Sequence, residues 1–76
     1  MIEKKKWLLI TFYTTAAAMQ MEKRCREAGC PGKLVPVPRS ITSDCGIAWR
    51  AELCDRERTE KIAEGLETEG LYETEM

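Results

Sequence analysis

The sequence predicts an α+β fold with the element order β-α-β-β-α-β. Three observations carry that expectation. Residues 7–13 form a dense run of aromatic, leucine and β-branched side chains; residues 15–28 repeat small apolar side chains at helical spacing; and residues 32–51 hold two short extended segments before a second amphipathic stretch. The chain has 76 residues, of which 43% are hydrophobic and 33% charged, the mixture of one small globular domain spanning residues 1–76. A domain of this size hides only about 60% of the surface its unfolded chain exposes, so each apolar side chain counts.

Alternation in the first strand places Leu8, Ile10 and Phe12 on one face and Trp7, Leu9, Thr11 and Tyr13 on the other. Both faces are apolar, which predicts a central strand whose second face is also covered, by a partner if not by this chain. Thr14 or Thr15 can cap the helix that follows, because a threonine oxygen accepts from the free amides of a first turn. Ala18, Met21, Cys25 and Ala28 recur on its inner stripe, with Gln20, Lys23, Arg24 and Glu27 outside. Gly29 stands where a residue of positive φ ends a helix, and Pro31 prevents continuation.

Residues 32–37 read as a second strand, confined to an edge because Pro36 and Pro38 cannot donate to a ladder. A polar loop, Arg39-Ser40-Ile41-Thr42-Ser43-Asp44-Cys45-Gly46, precedes a third strand at 47–51 with Ile47, Trp49 and Ala51 on one side. Asp55 is the expected N-cap of a second helix whose inner face carries Thr59, Ile62, Ala63 and Leu66. Gly70 is expected to end that helix, leaving Leu71-Tyr72-Glu73 as a short final strand. With right-handed crossovers the order gives a ferredoxin-like sandwich: two helices on one face of a four-stranded antiparallel sheet of strand order 4-1-3-2.

Twelve basic and thirteen acidic residues leave a net charge of −1, and the acidic last third would repel phosphates, so no nucleic-acid partner is expected. No membrane span is expected either. Lys4-Lys5-Lys6, Trp7-Leu8-Leu9-Ile10 and Ala16-Ala17-Ala18 imitate a secretory signal. Threonines interrupt its short apolar run, and cleavage would remove the strongest strand. The expectation is therefore a cytoplasmic protein with reduced thiols. The chain contains no histidine, which excludes Ser-His-Asp catalysis and every histidine-bearing metal site. No convergent carboxylate pair falls on the expected elements, so a carrier or accessory protein is favoured over a classical enzyme.

Chemistry then rests on Cys25, Cys30, Cys45 and Cys54. Cys25 lies on the buried stripe of the first helix, and Cys30 follows a helix end where an apolar side chain packs under the turn; both are expected in the core. Cys54 precedes the second helix, where a helix N-terminus can lower a thiol pKa. A four-cysteine zinc site is disfavoured, because gaps of four, fourteen and eight residues form no two-residue knuckle. No cofactor or metal is expected. Cys45 is the candidate site: Gly46 beside it gives clearance, while Arg39, Ser40 and Ser43 can supply charge and donors to a thiolate. An unperturbed thiol of pKa ~8.5 is only a few per cent ionised at pH 7, so Arg39 must outweigh Asp44. The residues alone leave a Cys-Gly turn without chemistry equally open.

The stretches Thr14-Thr15-Ala16-Ala17-Ala18-Met19-Gln20-Met21-Glu22-Lys23, Ala28-Gly29, Leu34-Val35-Pro36-Val37-Pro38-Arg39 and Ser43-Asp44-Cys45-Gly46-Ile47-Ala48 resemble the small bacterial family of selenium/sulfur carrier-like proteins, formerly a domain of unknown function. The resemblance covers about residues 7–72. It implies a carrier that holds sulfur or selenium as a persulfide or perselenide on Cys45, with Pro38, Arg39 and Ser43 matching its Pro-Arg and Ser elements. The chain departs at Ala16 and Ala17, where the family often has histidines, and Cys25, Cys30 and Cys54 match no family cysteine. The implied partners are a donor such as a cysteine desulfurase and an acceptor protein. The alternative is a non-catalytic ferredoxin-like interaction module that dimerises through an open sheet face bearing Trp7, Leu9 and Tyr13.

Overall fold

A computed structural model describes residues 6–38, 41 and 46–75. Its elements are β1 (Lys6–Phe12), α1 (Thr15–Ala28), β2 (Lys33–Pro36), β3 (Ile47–Glu52), a single 3-10 turn (Leu53–Asp55), α2 (Arg56–Ile62) and β4 (Thr68–Glu75). The four strands form one antiparallel sheet of order β2-β3-β1-β4, which is the expected 4-1-3-2 read from the other edge.

β1 is central because both of its faces are apolar: Leu8, Leu9, Ile10 and Phe12 are all fully buried. Leu8, Ile10 and Phe12 face α1 and α2 and pack with Ala18, Met21, Cys25, Trp49, Ala51 and Ala63 in the main core. The α1 boundaries fall where the sequence predicts. Thr14 holds an extended backbone and its hydroxyl accepts from the Ala17 amide at 3.2 Å, while Gly29 adopts φ 69° and closes the helix.

Gly32 is required by a close approach, since a Cβ there would lie 2.5 Å from the Trp49 ring and 2.7 Å from the Arg50 carbonyl. That contact lets β2 seat its Leu34 against Trp49 across the β2–β3 ladder.

Three expectations for the second half need correction. Asp55 precedes α2 but makes no side-chain cap, because it is the last residue of the 3-10 turn that tightens the entry. α2 stops at Ile62, and the left-handed residue after it is Gly65 at φ 85°, not Gly70. Leu66 still packs on the core from beyond the helix end, which is why the apolar stripe outruns the helix. Gly70 lies inside β4, an eight-residue strand rather than a short one. The Tyr72 ring folds over Gly70, where a Cβ would come within 2.8 Å of the phenol, so glycine serves strand packing here.

The second sheet face is covered largely by the chain itself. Leu9, Val35 and Ala48 form a small cluster under Val37 and Ile41, the latter from the loop between β2 and β3. The Arg50 guanidinium lies 4.2 Å above the Trp7 ring on the same face. Among the described residues, no helix is long and apolar enough to cross a membrane.

Candidate functional site

The candidate site is the end of the sheet where β1 runs out, α1 begins and the β2–β3 loop returns. Pairing of Thr11 with Ala48 and of Pro36 with Ile47 brings these three chain segments to one end. The loop is closed at its base by the Val37 amide, which donates to the Gly46 carbonyl at 3.1 Å. The Ile41 amide donates to the Pro38 carbonyl at 3.0 Å, and the Ile41 side chain tucks onto the second-face cluster. An apolar residue in the middle of a polar loop was the sequence signal for this anchor.

Gly46 is exposed and adopts φ 75°, and among the described residues nothing stands within 4 Å of where a Cβ would lie. Glycine is therefore demanded by the left-handed backbone. Cys45, Arg39 and Ser43, with Ser40 and Asp44, lie outside the described residues.

The same end carries the N-terminus of α1. Its first turn holds no acidic residue, so the positive end of the helix dipole is not offset there. In that first turn Ala16 is exposed and Ala17 is buried in the core.

The remaining cysteines separate by environment. Cys25 is fully buried and Cys30 nearly so, as expected of core residues. Burial, then the adjacent Cys30, pushes the Cys25 thiol up to about 12. The Cys30 sulfur lies 3.6 Å from the hydroxyl of the buried Thr59.

Cys54 is exposed, and the helix N-terminus that could lower its pKa is outweighed by neighbouring carboxylates. Its thiol contacts Asp55 at 3.9 Å and Glu52 at 3.8 Å, and the Asp55 charge, followed by desolvation and Glu52, raises its pKa. Glu52, Cys54 and Asp55 each bring a ligand atom within 4.8 Å of the others, on a solvent-open turn. The thiols of the core pair and of Cys54 thus sit in unlike settings and offer no common zinc site among the described residues.

No curated protein and no solved structure matches the chain. The family model described as "Putative Se/S carrier protein-like" matches residues 7–73. The chain belongs to that family.

Proposed function

We propose that this family member is a carrier that holds sulfur or selenium on Cys45 as a persulfide or perselenide and passes it between proteins. The Cys45 thiolate attacks the outer sulfur of a donor enzyme's persulfide, such as that of a cysteine desulfurase. The donor's S–S bond breaks, its thiolate leaves, and Cys45 now carries the terminal sulfur. An acceptor nucleophile repeats the exchange and restores the Cys45 thiolate. Arg39 stabilises the anion, Ser43 donates a hydrogen bond, and Gly46 gives clearance. A cytoplasmic setting keeps the thiol reduced.

The family match carries this reading, because it spans the whole loop that holds Cys45. Two features of the geometry support it. The Gly46 carbonyl accepts from the Val37 amide, which closes the base of the β2–β3 loop. The loop also returns at the end of the sheet where α1 begins, and a helix N-terminus favours a thiolate. We further read the architecture as a ferredoxin-like sandwich acting as one unit, with an exposed thiol and a docking surface rather than a deep catalytic pocket.

Incubation with a cysteine desulfurase and cysteine, followed by intact-protein mass spectrometry, tests the reading. Wild type should gain a sulfur that reductant removes, and Cys45→Ser should gain none while keeping its circular dichroism spectrum. Equal loading of the variant would overturn the assignment to Cys45.

A further inference from the structure

The C-terminus of α1 brings two cysteines together. The Cys30 amide donates to the Cys25 carbonyl at 2.8 Å and the Gly29 amide to the Arg26 carbonyl at 3.3 Å, with Gly29 in the left-handed region between them. This pair of reversed bonds turns the residue after the glycine back onto the residue five positions earlier, and a side-chain contact between the two accompanies it. Here both are thiols. They share one core cluster and both are free. A direct backbone bond between two residues holds them at the range a disulfide spans, roughly 4.4–6.8 Å between α-carbons.

Access to the pair is one-sided. A cleft of about 220 Å³ between α1 and β2, lined by Arg26, Lys33 and Trp49 among others, reaches Cys30 and does not reach Cys25. Cys30 is 5% exposed and Cys25 is 0% exposed, so the two thiols have different roles available to them.

We infer that Cys25 and Cys30 form a redox-active dithiol, a second sulfur centre separate from Cys45, which closes to an intramolecular disulfide when a small-molecule disulfide enters the cleft. The Cys30 thiolate attacks one sulfur of the entering disulfide, whose S–S bond breaks and releases one small thiol. The Cys25 thiolate then attacks the Cys30 sulfur, releases the second small thiol and forms the Cys25–Cys30 bond. The protein loses two protons and two electrons, and the entering disulfide takes up both as it becomes two thiols. Burial keeps Cys25 protonated through neutral pH, so the second step is the slow one and accelerates as the pH rises.

The test uses a Cys45→Ser/Cys54→Ser protein, in which only the pair remains, so its result does not depend on the carrier reading. The reduced, folded protein is incubated with oxidised glutathione, quenched, and followed by non-reducing mass spectrometry. The expected product has lost two hydrogens and carries no glutathione. Trypsin cleaves after Arg24 and Arg26, so the two cysteines fall on separate peptides that should migrate as one disulfide-linked species. Adding Cys25→Ala should arrest the reaction at a single glutathione on Cys30. A lasting glutathione adduct in the two-cysteine protein overturns the inference. So does an inert folded protein whose urea-unfolded form reacts.

Discussion

Gly46 shows how much a single backbone angle decides at this site. At φ 75° an L-residue pays about 1–2 kcal/mol, and with open space around the position that backbone cost is the whole penalty. Gly46→Ala should therefore lower stability by about 1 kcal/mol in urea unfolding, and Gly46→Asn by less, because asparagine tolerates the left-handed region. Equal losses for the two variants would assign the cost to something other than the angle. Cys25 gives a second residue-scale prediction, with its sign set by burial. Its thiol is raised from 9.0 to about 12, so the folded state favours the neutral form. The stability this contributes is complete below about pH 9 and is lost as the pH rises toward about 12. The urea midpoint of wild type should fall across that window more steeply than that of Cys25→Ala; parallel slopes would remove Cys25 as the cause. The core placement of Cys25 was legible from helical spacing, and that of Cys30 from its place just after the helix end. The contact between the two core cysteines was not read, although its signal was there: a cysteine on each side of Gly29 at the spacing of a reversed helix end. The direction of the Cys54 shift was left open by the sequence, because a helix N-terminus acts on a thiol only where neighbouring carboxylates do not outweigh it.

The two helices cap each other. Arg24 of α1 donates to the carbonyls of Ile62 at 3.2 Å and Glu64 at 2.8 Å, just where α2 ends. Arg58 of α2 returns the favour with a 2.9 Å bond to the Ala28 carbonyl, the last residue of α1. Carbonyls at a helix C-terminus have no partner within the helix, and a cation there also opposes the negative end of the dipole. Arg24→Ala and Arg58→Ala should each cost about 1 kcal/mol by chemical unfolding, although both side chains look like solvated surface charges in the sequence. A loss indistinguishable from zero in both would make the bonds incidental. The pattern explains which element edges could be read in advance. α1 announces itself locally, through Thr14 at one end and Gly29 at the other, so both limits were legible. α2 is held by a distant arginine and continues its apolar stripe past Gly65 into Leu66 after the helix has stopped, so the stripe masks the local glycine signal. β4 hides its length for a similar reason: an edge strand rich in glutamate buries few side chains and carries little alternation.

At the scale of the molecule, the second sheet face decides between an open interaction surface and a closed support for the loop. Leu9 is fully buried on that face, and burying a leucine is worth about 1.5–3 kcal/mol, so whatever covers it contributes to folding. The cover is Ile41 and Val37, with the Tyr72 ring over Gly70 and Arg50 over Trp7 nearby. The sequence predicted that this face would be covered and left open by what; a strand pattern shows an apolar face but not the loop that returns to it. Self-coverage leaves less apolar area for a second copy and ties the loop bearing Cys45 to the sheet. It also makes Ile41 the described side chain that joins the β2–β3 loop to the sheet. Ile41→Ser should cost about 1 kcal/mol of stability and slow sulfur loading of Cys45 several-fold. Leu66→Ala, which removes a half-buried side chain from the opposite face, should cost a comparable amount and leave loading unchanged. If both variants load equally slowly, lost stability accounts for the effect; if both load at the wild-type rate, the loop needs no anchor on the sheet. Slowing confined to Ile41→Ser would make the second face the scaffold of the carrier loop.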